Sequence, residues 1–270
     1  MATPPLVRVG TLLPPFVLLD ARAGSGTFAA SHLPGAIHAD LDRCLCAEPV
    51  PGADPARGGR HPLPSPEAFA RRLGDWGITP ATRVVAWDGA SGAAGAARLW
   101  WMLRALGHGA VSVLEGDLAS LLDQGLPAGE APPPAPPYPE DRWLLPLADL
   151  ARVDRLRRDP DWKVLDARSR PRYLGETEPI DPVAGHIPGA LNLPFAENLD
   201  PQGRFNDAET LRRMYEAFLA GTPADHLVVH CGSGVTACHT LFALERAGLS
   251  GAALFVGSWS EWCRNPKPRA

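Results

Sequence analysis

Several features are missing from this 270-residue chain, and each absence excludes something. No stretch of about 18 apolar residues occurs, so no membrane-spanning helix is expected. No run of about five like charges occurs, and the net charge is only −4 with histidine neutral. Neither nucleic acid nor a membrane surface is therefore an expected partner. A small acidic substrate would have to be met by local positive groups. The N-terminal MATPPLVRVGTLLPP lacks a basic segment followed by a long apolar core, so it does not read as a secretory leader, and a cytoplasmic location is expected. Cysteines are few and odd in number: Cys44, Cys46, Cys231, Cys238 and Cys263. An odd set in a chain of this size does not make a disulfide framework. Cys44 and Cys46 are one residue apart and no second pair sits at zinc-site spacing, so no metal is expected.

What is present is ordinary globular material. Hydrophobic residues make up 45% of the chain and charged residues 21%, enough apolar matter for a folded core. The length allows one large domain or two of common size. Near the midpoint, residues 131–140 read APPPAPPYPE, six prolines in ten residues. Proline lacks the N–H that helices and central strands need, so this stretch is expected to be an extended spacer between domains.

The two sides of that spacer resemble each other. FVLLDAR (16–22) returns as WKVLDAR (162–168), SHLPGAIHADL (31–41) as GHIPGALNLPF (185–195), and RVVAWDG (83–89) as HLVVHCG (226–232). Two long repeats indicate a duplicated domain, not a solenoid of short units. In each half, short apolar runs alternate with helical patterns. Strands are expected at 16–20, 83–87, 111–114, 163–166, 227–230 and 252–255. Helices are expected at 66–75, 93–106, 207–220 and 235–247. The strand runs are apolar throughout, which suits a parallel sheet covered on both faces. The expected fold is thus α/β, with ligands gathering at the carboxyl ends of the strands.

The segment LVVHCGSGVTACHTLFALE (227–245) carries the chemistry. An apolar strand ends in Cys231, a turn of Gly232, Ser233 and Gly234 follows, and then a helix. The glycines allow tight backbone, including positive φ. Successive N–H groups can then form a concave anion cradle, reinforced by the helix N-terminus. Such surroundings favour a thiolate, and equally a persulfide anion, over the neutral thiol. A cysteine taken alone is more often a small core residue; here the strand–Cys–Gly-x-Gly–helix context favours a nucleophile.

This loop resembles the active-site loop of the two-domain rhodaneses, more narrowly the 3-mercaptopyruvate sulfurtransferase branch. The Asp-Ala-Arg strand ends, the paired His-x-Pro-Gly-Ala segments and Gly257-Ser-Trp-Ser-Glu-Trp262 extend the likeness along most of the chain. The resemblance implies two tandem rhodanese-like domains, each a parallel sheet flanked by helices: residues 1–130 non-catalytic, 131–140 the linker and 141–270 catalytic. Asp88 stands in the first repeat where Cys231 stands in the second. The implied activity moves sulfane sulfur from 3-mercaptopyruvate or thiosulfate to a thiophilic acceptor (cyanide, a small thiol or thioredoxin) through a Cys231 persulfide, with no cofactor. Gly232, Gly234, Val235 and Thr236, with Ser233, would supply the amide cradle. Arg172 matches the family's first donor-binding arginine, the alternative being a solvated surface charge. Ser233 reads either as a hydroxyl relay or as a turn residue bonded to the backbone.

Two features bear on the donor. Thiosulfate-preferring relatives carry basic residues just after the nucleophile, whereas Gly232 and Ser233 are neutral. The mercaptopyruvate branch, however, has a second arginine in a Glu-Pro-Arg context, and here the run is Glu178-Pro179-Ile180. His32 matches that branch's relay histidine, but its aspartate partner is not evident. His32 shares its motif position with His186, and for both a role in fixing the turn before Pro-Gly is expected. Cys238 is expected in the core, with a regulatory pairing to Cys231 as the alternative. A Cys-dependent phosphatase would need arginine six residues after Cys231, where Ala237 stands. The remaining alternative is a persulfide carrier or non-catalytic binding module for a partner protein.

Overall fold

The computed structural model describes residues 3–47, 54–93 and 95–270. The chain forms two compact units, Met1–Glu48 with Pro64–Leu144, and Pro49–Leu63 with Leu145–Ala270. Each holds one sheet in which every strand pair is parallel.

In the first unit the strands are β1 (Leu6–Val7), β2 (Val17–Asp20), β3 (Ile37–His38), β4 (Val84–Trp87) and β5 (Val111–Leu114), in the order β1-β5-β4-β2-β3. In the second they are β6 (Lys163–Asp166), β7 (Leu191–Asn192), β8 (Leu227–His230) and β9 (Ala253–Leu254), in the order β7-β6-β8-β9. A parallel bridge from Leu147 to Leu254 stands where β1 pairs with β5 in the first unit. The central strands β2, β4, β5 and β8 are buried at every position. Continuous apolar runs are what a sheet covered on both faces requires.

The helices that position the chemistry follow the central strands. In the second unit β8 leads into Val235–Arg246, and in the first β4 is followed by Ala96–Ala105. Both are buried on most sides, as helices laid on a sheet in the molecular interior must be. Helix Pro66–Asp75 begins as its Ser65-Pro66 start predicts: the Ser65 hydroxyl accepts the Ala68 N–H and proline occupies the first turn. The expected strands and helices all form, within a few residues of the expected ends. The short β1, β3 and β7, too brief to show a pattern, were not foreseen.

The proline-rich 131–140 stretch has no regular structure. It lies along helix Pro66–Asp75, where the Ala135 N–H donates to Gly74 O at 2.9 Å and the Tyr138 N–H to Ala70 O at 2.9 Å. A Cβ on Gly74 would come within 2.8 Å of the Ala135 and Pro136 carbonyl oxygens, so glycine permits this approach. Among the described residues no helix is long and apolar enough to cross a membrane.

Candidate active site

Strand β8 ends at His230, and Cys231 is the next residue. Its side chain is 2% exposed. The Gly234 N–H donates to Cys231 Sγ at 3.2 Å. Gly234 lies in the left-handed region (φ 81°) and caps the start of helix Val235–Arg246. A Cβ there would sit 2.6 Å from the Val256 carbonyl oxygen, so both conformation and space demand glycine. Among the described residues no acceptor takes the N–H groups of Gly232, Ser233, Val235 or Thr236. The sulfur thus sits at a helix N-terminus with one backbone N–H directed at it, an environment suited to an anion.

The loop is held from behind by the C-terminal helix Ser258–Trp262. The Cys231 N–H donates to Ser258 Oγ (3.2 Å), the Trp259 N–H to Cys231 O (3.0 Å) and the Ser260 N–H to Gly232 O (2.9 Å). Ser258 adopts a left-handed backbone (φ 54°), unusual outside glycine, to make this connection. These bonds explain why the Gly-Ser-Trp-Ser-Glu-Trp segment accompanies the cysteine loop.

The same helix pins residues 56–61, which belong to this compact unit. The Gly58 N–H donates to Glu261 Oε1 (3.0 Å), the Arg60 N–H to Ser260 Oγ (3.1 Å), and Asn265 Nδ2 to Ala56 O (2.9 Å). Two side chains are thereby delivered to the loop. His61 Nδ1 lies 2.8 Å from Ser233 Oγ. Arg60 ion-pairs with Asp181, and its Nη2 would be 3.3 Å from a Cβ on Gly232.

Arg172, on the short helix Arg170–Tyr173, reaches the same place. Both its Nη1 and Nη2 would be 3.4 Å from that Cβ. Its Nη2 donates to Glu178 Oε1 at 2.7 Å, and lies 3.6 Å from Asp181 Oδ2. Glu178 also accepts the Ile180 and Asp181 N–H groups, both at 3.1 Å, which folds 178–181 into a tight acidic turn. Ile180, where the resemblance has arginine, is 55% exposed.

Several expectations are sharpened or corrected. Gly232 does not need positive φ; only Gly234 does. What borders Gly232 is a pair of guanidinium groups, whose nitrogens would lie 3.3 and 3.4 Å from a Cβ there. Ser233 Oγ bonds a histidine side chain. The histidine against Ser233 is His61, not His32. His32 Nδ1 instead bonds Phe28 O (3.0 Å) and its ring stacks on Phe28, while His186 Nδ1 bonds Tyr173 O (2.8 Å) and stacks on Tyr173. Both therefore fix local chain, as their shared motif position implied. Arg168 is committed to structure: it forks Asp166, donates to Gly185 O and lies over Trp259. Arg22 does the same to Asp20 and Trp87 in the first unit. Cys238 is fully buried, its Sγ against Gly234 O at 3.3 Å, and no disulfide joins any of the five cysteines. Burial pushes the His230 pKa below its usual value despite the Asp166 carboxylate 3.8 Å away, so this ring is kept neutral behind the loop.

Sequence reasoning missed Arg60 and His61. The contact is distant in sequence: 172 residues separate His61 from Ser233. Two adjacent basic residues in GGRHP were the only signal available.

With this geometry in hand, the chain can be set beside known proteins. A rhodanese-like domain model matches residues 10–124 and again 149–265. A probable 3-mercaptopyruvate sulfurtransferase of Pseudomonas aeruginosa is 44% identical over 255 residues, covering 93% of this chain and 88% of the relative. A thiosulfate sulfurtransferase of Bos taurus is 34% identical over 281 residues, covering 97% and 90%. The solved 3-mercaptopyruvate sulfurtransferase from Leishmania major superposes with a TM-score of 0.77 at 29% identity, covering 92% of this chain and 70% of that one. Two matches to one domain model, each on its own parallel sheet, make this chain a member of the rhodanese-like family with two such domains in tandem.

Proposed function

We propose that this protein is a sulfurtransferase that takes a sulfur atom from a small anionic donor onto Cys231, where it becomes sulfane sulfur, and passes it to a thiophilic acceptor. The second unit is the catalytic one and the first has no nucleophile at the matching position. The observation that carries this reading is the placement of Cys231 Sγ at a helix N-terminus, 3.2 Å from the Gly234 N–H. Gly232, Ser233, Val235 and Thr236 add donors around it. An outer sulfur carried on Cys231 keeps a negative charge at neutral pH, and this cradle suits that charge.

Of the two donors, 3-mercaptopyruvate fits the surroundings better. The Cys231 thiolate attacks the donor sulfur, an S–S bond forms and the donor's C–S bond breaks. The electron pair of that bond leaves on carbon as pyruvate enolate, which must gain a proton. Ser233 Oγ, 2.8 Å from His61 Nδ1, is a hydroxyl whose proton a histidine can replace. Thiosulfate would instead release sulfite, a stable anion that needs no such proton. In the second half-reaction cyanide, a small thiol or reduced thioredoxin attacks the outer sulfur. Cys231 then departs as thiolate, and the enzyme is restored without net oxidation.

Steady-state assays with each donor, cyanide as acceptor, test this directly. The expected result is a clearly higher kcat/KM for 3-mercaptopyruvate, with no turnover by Cys231→Ala of native melting behaviour. Substantial transfer by that variant would sink the mechanism. Activity with neither donor would shift the reading to a persulfide carrier for a partner protein.

A further inference from the structure

The geometry points to Arg60 as a second donor-binding residue, forming with Arg172 a two-guanidinium seat over Gly232 for the anionic head of the sulfur donor. This rests on the sulfurtransferase reading of the loop and goes beyond it, because it assigns the donor's head a residue that the loop and the 169–186 segment do not contain.

Each guanidinium is tied on one edge and open on the other. Arg60 gives Nη1 to Asp181, and its Nη2 is the atom nearest Gly232. Arg172 gives Nε and Nη2 to Glu178, at 3.3 and 2.7 Å, and its Nη1 also faces Gly232. Among the described residues neither open nitrogen has an acceptor. The acids fix the forks without neutralising them: Asp181 is shared by Arg60, Arg264 at 2.8 Å and, more distantly, Arg172. The two arginine side chains are only 20% and 18% exposed, so water screens them less than it would on an open surface. Both open edges converge on the residue next to Cys231, where a Cβ would already touch them. Glycine leaves that volume to a ligand. A planar fork pairs with oxyanions of two kinds, a carboxylate or the sulfuryl oxygens of thiosulfate. The residue where the resemblance expects a second arginine is Ile180, so Arg60 supplies from a distant segment the charge that the 178–181 turn lacks.

The test uses Arg60→Ala and Arg60→Lys in the full chain, with thermal melting as the check on folding. Donor KM is expected to rise about 10- to 100-fold in Arg60→Ala, the usual cost of losing a charged hydrogen bond, while the KM for cyanide stays put. Arg60→Lys keeps a charge near Asp181 but loses the fork. It should show a smaller rise, and it carries the test should the alanine variant unfold. Ile180→Arg in the Arg60→Ala background should recover part of the loss. The relative rise for 3-mercaptopyruvate and for thiosulfate identifies which oxyanion the seat takes. A folded variant with unchanged donor KM would overturn the inference and leave the sulfurtransferase reading standing. A turnover-free readout separates the two: pyruvate or sulfate should slow alkylation of Cys231 by iodoacetamide in the wild type, and Arg60→Ala should weaken that protection. Equal protection in both proteins would also remove Arg60. Arg60-dependent protection in a protein inactive with both donors would keep the seat and refute the donor assignment.

Discussion

The first unit contains the same strand–loop–helix as the second, with a carboxylate where the thiol stands. Asp88 follows β4 as Cys231 follows β8, and both are buried. Asp88 Oδ1 accepts the Ala90 and Gly92 N–H groups at 2.9 and 3.0 Å, and Oδ2 accepts the Ala96 N–H at 3.0 Å, at the first residue of the helix. The first loop is the longer of the two, running to Gly95 before its helix begins, whereas the second ends at Gly234. One loop has thus filled its own anion cradle with a tethered carboxylate. The other gives a single N–H to a sulfur and keeps further donors beside it. The comparison teaches that the backbone makes the cradle, and that in the first loop a carboxylate fills it.

Converting the second loop toward the first is the most damaging change. Cys231→Asp should abolish sulfur transfer to background. Its carboxylate should accept cradle N–H groups as Asp88 does, so the variant should melt several degrees above Cys231→Ala. Differential scanning calorimetry on the pair checks this. An aspartate variant that melts below the alanine variant would show that the two cradles are not equivalent.

A milder conversion concerns Ser233, whose counterpart two residues after Asp88 is Ala90. Ser233→Ala should lower kcat with 3-mercaptopyruvate by about 10²-fold, the usual scale for losing a positioned proton donor, and leave thiosulfate turnover little changed. Equal losses with both donors would mean that the hydroxyl shapes the loop and does not move a proton.

Much of this was legible before any coordinates, for physical reasons. The central strands are continuous apolar runs, and a fully buried parallel strand leaves little other choice of residue, so β2, β4, β5, β6 and β8 could be read almost to the residue. Cys231 was legible because its immediate neighbours build its surroundings: strand end, left-handed glycine, helix start. Arg60 and His61 were not, because nothing local marks them. Their positions depend on Gly58 and Arg60 bonding to helix Ser258–Trp262, and on Ala56 bonding to Asn265 just beyond it, some 200 residues away. His32 shows the converse: the motif position it shares with His186 pointed to a local role, and its bond and ring stacking to Phe28 are local. Gly232 was read as a conformational glycine, but it has no positive φ and borders two side chains that the sequence could not bring near.

The smallest expected effect falls on the first loop and tests the comparison from its other side. Asp88→Ala would leave the Ala90, Gly92 and Ala96 N–H groups without their carboxylate in a buried place. The cost should be about 1–3 kcal/mol of stability, the usual penalty for unmet buried donors, with kcat and both KM values unchanged per folded molecule. Asp88→Asn, which keeps one accepting oxygen and loses the charge, should fall between. If Asp88→Ala instead lowered turnover without lowering stability, the carboxylate would be serving the reaction and not its own loop. If Asp88→Asn matched the wild type, hydrogen-bond acceptance and not charge would be what the cradle selects. The case for a persulfide anion in the second cradle would then rest on the Cys231 variants alone.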